Sequence, residues 1–366
     1  MTPRQARGTA LATDRIDIPN DRDDAVIGLD GREVRLTNLR KPFWPELGLT
    51  KGDLLQYYAD VSPALLPHLD ARAMVMKRYP HGAAGPFFFM KRTPSPHPEW
   101  LQTCEITHRS GNVIRFPVVS DLAALLWIVN LGCIDLNQWY ARCDDVNRPD
   151  YLHFDLDPTP GTPFERVREA SVLVRDALAQ IGMLAYAKTS GSRGIHVYVP
   201  IERGPLQKDV WRFAKAFAGV LAKKRPTLVT TIYKVADRPE GRVLVDYNQN
   251  AWGRTLASVY SVRPTPAATV SAPVTWEEIE RGFRIEDFDL RNMPARLSQR
   301  GDLFAPLLDA RGRVRLEPPS GTARRTTRAS RTARAAGTGP ERSAEGGHYD
   351  TSARTRATGC TPMNRP

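Results

Sequence analysis

The chain has 366 residues, of which 41% are hydrophobic and 25% are charged, a composition typical of a soluble globular protein. No apolar run approaches the roughly 20 residues that a membrane-spanning helix needs. The N-terminal residues also lack the apolar stretch of a secretion signal. We therefore expect no membrane partner and no export. The formal net charge of +12 favours a polyanionic partner.

Composition divides the chain into three segments. Residues 1–31 mix charged residues, Pro and Gly without a period and predict a flexible leader. Residues 32–316 carry strand and helix patterns and predict one folded α+β domain. Residues 317–366 are rich in Arg, Thr, Ala, Gly and Ser, which predicts a disordered basic tail. Much of the positive charge lies in this tail, so net charge alone is weak evidence for a binding site.

In the folded segment, stretches with the two-residue period of strands alternate with stretches that have the roughly 3.6-residue period of helices. Thr50 and Asp53 form a capping-box pattern at the start of a helix that we expect to be interrupted at Pro63. Thr275 and Glu278 form the same pattern before the last predicted helix. In chain order we predict strands at 33–39, 73–80, 85–92, 152–157, 184–190, 195–201 and 242–248, and helices at 54–69, 122–132, 163–182, 206–224 and 275–279.

Acidic residues lie on two of the predicted strands. Asp155 and Asp157 are two residues apart, so both project from one face of their strand while Leu156 points into the core. Two adjacent carboxylates repel each other unless a cation neutralises them. Asp246, on a later strand, would complete an oxygen-rich site for one or two Mg²⁺ or Mn²⁺ ions. Such a site suits phosphoryl or nucleotidyl transfer.

Two other interpretations of this motif stay open on these residues alone. The acids could be an exposed pair at the end of a strand. The sequence from Asp155 to Thr159 also fits the DxDxT motif of haloacid-dehalogenase-type phosphatases, in which the first Asp is a nucleophile. Those enzymes carry the motif near the start of their fold, whereas about 120 ordered residues precede it here, which disfavours that interpretation.

A glycine-containing loop follows the next predicted strand. Ser190, Ser192, Arg193 and the intervening glycines could bring hydroxyl, guanidinium and amide donors to an anion, and His196 opens the following strand. A purely structural turn is an equally good explanation of this pattern alone. Further along, Arg263 is a candidate bidentate clamp for a triphosphate.

Basic and aromatic residues lie upstream of the acidic motif. Lys41 and Lys51 flank a proline-rich loop and could hold a phosphate. The run Phe87, Phe88 and Phe89, followed by Lys91 and Arg92, could stack on bases beside a basic rim. Strand alternation predicts that Phe88 faces opposite to the other two, so that only part of the run is exposed.

The cysteines show no pattern that predicts a bond. Cys104, Cys133, Cys143 and Cys360 have neither CxxC nor zinc-site spacing. We expect reduced, mostly buried thiols in a cytoplasmic protein.

Taken together, these motifs resemble those of the polymerase domain of bacterial DNA ligase D, a branch of the archaeo-eukaryotic primase superfamily. The resemblance runs from about Val34 to Pro306 and rests on the segments LTNLRKPFWPELGLTKGDLLQYY, MVMKRYPHG, DLDP, SGSRGIHVYVP, VLVDYNQN and YSVRPTPAATVSAPVTWEE. It implies a primase-like α+β core, with central antiparallel or mixed sheets flanked by helices.

The resemblance also implies a function. It implies a template-dependent nucleotidyltransferase that extends or fills DNA ends in non-homologous end joining, with Mn²⁺ or Mg²⁺, NTP or dNTP substrates and a preference for ribonucleotides. A non-catalytic DNA-end-binding scaffold is the alternative. Implied partners are DNA ends or gapped duplex with a 5′-phosphate, a separate DNA ligase and a Ku-type end-binding protein, in the cytoplasm at the nucleoid.

Matched residue by residue, the resemblance assigns roles within the motifs. It implies metal binding by Asp155, Asp157 and Asp246, and nucleotide binding by Ser190, Ser192, Arg193, His196 and Arg263. It implies DNA binding by Lys41, Lys51, Phe87, Phe88, Phe89 and Lys91. One departure is Asn137, which stands where many relatives have a His near the active site. No ligase or nuclease module is expected in the remaining residues.

Overall fold

A computed structural model of the chain describes residues 15–316 except residue 109. The described helices are α1 (Lys51–Leu69), α2 (Leu122–Asn130), α3 (Phe164–Ala179), α4 (Gln207–Lys224), α5 (Trp276–Arg281) and α6 (Met293–Arg300). The described strands are β1 (Ala25–Leu29), β2 (Arg32–Leu36), β3 (Pro42–Trp44), β4 (Leu49–Thr50), β5 (Met74–Arg78), β6 (Phe88–Met90), β7 (Thr103–Thr107), β8 (Val113–Pro117), β9 (Cys133–Gln138), β10 (Tyr151–Pro158), β11 (Tyr186–Thr189), β12 (Ile195–Pro200), β13 (Val229–Thr230), β14 (Val243–Asp246) and β15 (Pro273–Val274).

A six-stranded sheet forms the centre of the fold. Its strand order is β13-β14-β10-β12-β11-β15, with antiparallel pairing except between β13 and β14. Helices α3 and α4 cover one face of this sheet, where Leu152, Phe154 and Leu156 of β10 are fully buried. Phe154, for example, packs against Phe217 of α4 with ring centroids 5.0 Å apart. The acidic residues of β10 alternate with these and therefore project from the opposite face.

A second layer faces the acidic side of the central sheet. It contains the three-stranded sheet β6-β5-β9 together with α1 and α2. Tyr58 of α1 donates a hydrogen bond to the carbonyl of Ile134, and Ser258 donates its amide to the carbonyl of Leu136 on β9. These contacts fix β9 relative to the loop after β14. Helices and mixed sheets arranged in this way confirm the predicted α+β fold.

The folded structure begins earlier than the predicted boundary at residue 32. Strands β1 and β2 form an antiparallel hairpin, with Ala25 opposite Leu36, around a turn in which Asp30 and Gly31 both have positive φ. Aspartate and glycine favour this turn type because both adopt the left-handed conformation readily. The leader prediction is therefore wrong for the described residues 15–31. The predicted tail at 317–366 lies outside the described residues.

Two details of the helices also differ from the prediction. Helix α1 continues through Pro63, and the carbonyl of Ala59, which would lose its usual partner there, accepts a hydrogen bond from the Ser62 hydroxyl at 2.8 Å. Helix α5 has the predicted capping box, but α6 follows it. No helix in residues 15–316 is long and apolar enough to cross a membrane.

Two of the cysteines are paired, contrary to the expectation of reduced thiols. Cys104 on β7 and Cys143 after β9 form a disulfide with a Cα–Cα distance of 5.9 Å. The Cys143 amide donates to the carbonyl of Ala71, which helps to place this segment. Because these residues are 39 positions apart and lie on separate elements, their spacing gave no indication of the pairing. Cys133 is a free, buried thiol, and Cys360 lies outside the described residues.

Candidate active site

Four polar residues form a row across four neighbouring strands on the face opposite α3 and α4. In the register of the central sheet, Asp246 of β14 lies opposite Asp155 of β10, Asp155 lies opposite His196 of β12, and His196 lies opposite Lys188 of β11. Directly opposed side chains lie on the same face, with Cβ atoms roughly 4.5–5.5 Å apart. The sheet thus brings together residues that are far apart in sequence.

Asp155 of this row and Asp157, two residues further along β10, have the most strongly raised carboxyl pKa values of the site. Burial raises the pKa of Asp155 to about 6. The charge of Asp155, with burial as the second cause, raises the pKa of Asp157 to about 7. Asp155 Oδ1 is buried without a hydrogen-bond partner, although His196 Nε2 lies 3.3 Å away. Two close carboxylates and an unsatisfied buried oxygen are a donor set that fits a divalent cation.

Asp246 lies beside this pair but is held by its own neighbours. Its oxygens accept hydrogen bonds from the Asn248 amide at 2.8 Å, Gln249 Nε2 at 2.9 Å and the Tyr233 hydroxyl at 3.3 Å. Burial and the charge of Asp155 raise its pKa. Within residues 15–316, no three His, Cys, Asp or Glu side chains are grouped closely enough to hold a metal ion. A role for Asp246 as a third ligand stays a prediction.

The loop between β11 and β12 needs glycine at two positions. Gly191 has a φ of +66°, and a Cβ atom there would lie 2.5 Å from Cγ of Arg263. A Cβ atom on Gly194 would lie 2.5 Å from the carbonyl oxygen of Leu156. The Ser190 hydroxyl oxygen accepts hydrogen bonds from the amides of Ser192 and Gly194, at 3.1 and 2.9 Å. The loop is therefore packed against the acidic strand β10 and against Arg263, which lies in the segment between β14 and β15.

An open cleft of about 230 Å³ is lined by seven of the eight residues predicted to bind metal or nucleotide, Asp246 being the exception. Its lining includes Asp155, Asp157, Ser190, Ser192, Arg193, His196 and Arg263, together with Asn137 and the segment 255–257. Ser192 and Arg193 are exposed at its rim. The lining combines carboxylates with cationic and hydroxyl donors, which is the chemistry that a metal-bound polyphosphate requires.

Arg263 is connected to the second layer through a buried acid. Its Nε lies 3.5 Å from Asp135 Oδ2 on β9, and Lys77 Nζ of β5 lies 4.0 Å from the same oxygen. Asn137 donates Nδ2 to the carbonyl and the Oδ1 of Asp135, at 3.1 and 3.3 Å. Asp135 thus organises two cations and Asn137 at the wall of the cleft.

The aromatic run on β6 is more exposed than strand alternation predicts. Phe87, Phe88 and Phe89 are 51%, 43% and 59% exposed. The expectation that only part of the run is exposed is therefore wrong: Phe87 lies just before β6, and Phe88 and Phe89 are both exposed on this strand. Lys77 Nζ lies 4.1 Å from the ring centroid of Phe87, while the Arg78 guanidinium lies 5.2 Å from that of Phe88.

A second pocket lies on the Arg78 side of β5. Its volume is about 230 Å³, and its lining includes Lys41, Lys51 and Arg78. Lys51 is buried and donates Nζ to the carbonyl of Thr37 at 2.6 Å and to Asn130 Oδ1 at 2.7 Å. Burial, followed by the charge of Lys41, lowers the pKa of Lys51 to about 8. The structure therefore brings both predicted lysines together in one cationic pocket.

The remaining predicted DNA-binding residue, Lys91, is exposed just after β6. Arg92, next to it, donates Nη2 to the carbonyl of Val113 on β8. Residues that the sequence analysis missed are Lys77, Asp135, Lys188 and Tyr233. The sheet register places Lys77, Asp135 and Lys188, whereas Tyr233 reaches Asp246 from a loop after β13, and neither arrangement is visible in the sequence.

Comparisons with known proteins agree on one family. The sequence matches the family described as LigD, primase-polymerase domain, over residues 50–304. It is 33% identical over 299 residues to the multifunctional non-homologous end joining DNA repair protein LigD of Mycobacterium tuberculosis H37Rv, covering 78% of this chain and 39% of that protein. It is 30% identical over 266 residues to the multifunctional non-homologous end joining protein LigD of Pseudomonas aeruginosa, covering 73% of this chain and 31% of that protein.

A solved structure shows the same fold. The structure of the polymerase domain from Mycobacterium tuberculosis ligase D in complex with DNA superposes with a TM-score of 0.70 at 31% identity. The match covers 75% of this chain and 97% of that chain. The chain thus spans nearly all of this solved domain but less than half of the length of these curated relatives.

Proposed function

The chain belongs to the family of LigD primase-polymerase domains, and from this premise we propose that it is a template-dependent nucleotidyltransferase that extends or fills DNA ends. In this reaction the primer 3′-hydroxyl oxygen attacks the α-phosphate of a bound nucleotide and pyrophosphate leaves. The related full-length proteins are described as acting in non-homologous end joining, and we propose the same process for this chain.

The observation that carries the proposal is the convergence of acids and cations in one cleft. Asp155 and Asp157, with Asp246 opposite Asp155, lie on one face of the central sheet, and Arg193, His196 and Arg263 lie nearby. A nucleoside triphosphate needs both groups of residues, because its charge must be neutralised along its whole length.

The carboxylates would hold one or two divalent ions, Mn²⁺ or Mg²⁺. Bound there, such ions would supply charge neutralisation, activation of the primer hydroxyl and stabilisation of the leaving group. Burial raises the pKa of Asp155, the charge of Asp155 raises that of Asp157, and a bound cation would favour the ionised form of both carboxylates. Arg263 and Arg193 would donate to the triphosphate, with Ser190, Ser192 and His196 holding the loop and the base of the cleft.

Two surfaces outside the cleft would bind the DNA. The exposed Phe87, Phe88 and Phe89 would stack on template bases, with Lys91 at their rim. The pocket of Lys41, Lys51 and Arg78 would bind a 5′-phosphate at the far side of a gap, since three cations converge there. Sealing of the filled end would need a DNA ligase activity, and a Ku-type protein is the proposed end-binding partner.

Primer extension by the full chain distinguishes the proposed polymerase from a phosphatase and from a non-catalytic scaffold. The assay uses a gapped duplex with a 5′-phosphate, Mn²⁺ and each of the four ribonucleotides in turn. We expect incorporation of the nucleotide complementary to the template and release of pyrophosphate. Release of inorganic phosphate without a template would indicate a phosphatase instead. Normal DNA binding without any incorporation would indicate a non-catalytic scaffold.

A further inference from the structure

Lys188 is a buried lysine to which the mechanism above gives no role. It lies on β11 and is only 1% exposed. Burying an ammonium group is costly unless its hydrogens are all bonded or an acid neutralises it. In the described part of the chain, no carboxylate lies within ion-pair distance of Lys188, so its three hydrogen bonds have to explain its position.

Those three hydrogen bonds can be assigned from the chemistry of the partners. Lys188 Nζ lies 2.9 Å from the carbonyl oxygen of Ala257, which can only accept. It also lies 2.6 Å from Oγ of Ser271, whose own hydrogen is donated to the carbonyl of Thr189 at 2.8 Å. The third neighbour is His196 Nδ1, at 2.8 Å. Burial and the charge of Arg263 lower the pKa of Lys188. In its protonated form Lys188 has three hydrogens for these three neighbours, and Nδ1 is then an acceptor.

The other end of the imidazole leads to the same assignment. His196 Nε2 lies 3.3 Å from Oδ1 of Asp155, and both residues line the cleft. A lone pair on Nε2 would repel this carboxylate oxygen, whereas an N–H group would be attracted to it. With Nδ1 as acceptor and Nε2 as donor, His196 is in a single tautomer, and the tautomer of a histidine is set by the bond that its second nitrogen makes.

We infer that Lys188 is a positioning residue that holds His196 as its Nε2–H tautomer, so that this hydrogen is presented to the phosphates of a nucleotide bound in the cleft. The same lysine ties Ala257, which lines the cleft, to β11. The inference rests on the proposed nucleotide site for its consequence, but the tautomer is a property of the protein without any substrate.

The first test is an NMR measurement on the full chain labelled with ¹⁵N-histidine, without metal or nucleotide. Long-range ¹H–¹⁵N spectra distinguish the two tautomers, and the His196→Gln variant assigns the signal. We expect a protonated Nε2 and an unprotonated Nδ1 in the wild type, and a mixture of tautomers in Lys188→Met. A protonated Nδ1 in the wild type would overturn the inference even if the Lys188→Met variant did not fold. So would an unchanged spectrum in a folded Lys188→Met protein.

The second test measures single-nucleotide incorporation of ATP opposite a template thymine. Loss of one hydrogen bond to a charged phosphate should raise the KM for ATP by about tenfold or more in Lys188→Met. The matched control Lys223→Met, on the exposed end of α4, should leave the KM unchanged. Circular dichroism establishes that both variants are folded.

A double variant separates positioning from a structural effect. Glutamine at position 196 has an amide donor and no tautomers, so Lys188→Met should change the KM by less than about twofold in the His196→Gln background. An equal increase in both backgrounds would show that Lys188 acts only through packing and would contradict the inference. If no protein incorporates ATP, the proposed function fails, whereas the NMR result still decides the role of Lys188.

Discussion

Asp155 and Asp157 are the residues on which the electrostatics of the cleft depend. Their pKa values are raised to about 6 and about 7, so each proton is bound more tightly in the folded chain than in the unfolded chain. By linkage, their contribution to the stability of the metal-free protein is most favourable at acidic pH and is lost as the pH rises through these values. Sequence alone predicted the repulsion, but its size depends on burial that only the fold supplies.

The direction of these pKa shifts predicts that replacing one of the two carboxylates by an amide stabilises the metal-free protein. In EDTA, Asp155→Asn should raise the melting temperature relative to the wild type by a few degrees at pH 8, because the variant has no charge to bury. The difference should shrink towards pH 5, where the wild-type carboxylates are protonated. Differential scanning calorimetry at several pH values measures it. A wild type that is more stable than Asp155→Asn at pH 8 would contradict the assigned pKa shifts.

The same protons should be released when a metal ion binds. Between pH 5.5 and 7, the affinity for Mn²⁺ should rise with pH, by up to about tenfold per unit for each proton displaced, and it should level off above pH 7. Isothermal titration calorimetry in two buffers of different ionisation enthalpy counts the released protons. An affinity that does not change over this range would show that Asp155 and Asp157 do not bind the ion.

At the scale of single elements, some local patterns predicted the structure well and others were overridden by their surroundings. The capping boxes of Thr50 and Thr275 are present as predicted. The Asp30–Gly31 pair is a hairpin signal that the leader prediction overlooked. Strand β9 was not predicted, although Ile134 and Leu136 alternate there with Asp135 and Asn137, and the burial of its polar residues could not be predicted from the sequence.

A substitution on the edge strand β6 should weaken DNA binding without a matching loss of stability. Phe89→Ala should weaken binding to a primer–template by about tenfold or more, since stacking on one base contributes roughly 1–3 kcal/mol. Stability should change little, because Phe89 is 59% exposed. Fluorescence anisotropy measures the affinity, with Leu184→Ala, an exposed residue before β11, as the control. Equal affinity of both variants for the primer–template would show that the template does not stack on Phe89.

The cationic pocket beside β5 should recognise a phosphate and not DNA in general. Lys41→Ala should lower the affinity for a gapped duplex with a 5′-phosphate by about tenfold, the loss expected for one charged hydrogen bond. The affinity for the same duplex with a 5′-hydroxyl should stay within about twofold of the wild type. Lys215→Ala on α4 is the matched control. An equal loss on both duplexes would show that Lys41 contributes only general charge.

At the scale of the whole molecule, the faces of single strands could be predicted from the sequence, whereas contacts between strands could not. Alternation on β10 placed Asp155 and Asp157 on one face, whereas the alignment of Asp246, His196 and Lys188 depends on strand register across the sheet. Register results from the packing of whole strands and cannot be derived from local propensity. The pairing of Cys104 with Cys143 was unpredictable for the same reason.

The arginine-rich segment after Leu316 accounts for much of the net charge of the chain. A chain truncated after Leu316 should keep its fold and its incorporation rate at low salt, because the cleft lies within residues 137–263. It should show a shallower dependence of DNA affinity on salt, as fewer counterions are displaced from the phosphates. Measurements of DNA affinity between about 50 and 200 mM NaCl, where such effects are large, give this slope. An unchanged slope would show that the segment does not contact DNA.

The most direct test of the account compares catalysis with DNA binding in Asp155→Asn, Asp157→Asn and Asp246→Asn. We expect each variant to lose about three orders of magnitude or more in template-directed incorporation with Mn²⁺, because several kcal/mol of transition-state stabilisation depend on these carboxylates. Each should still bind the gapped duplex within about twofold of the wild type. Variants that bind this DNA and still incorporate nucleotides at the wild-type rate would contradict the account.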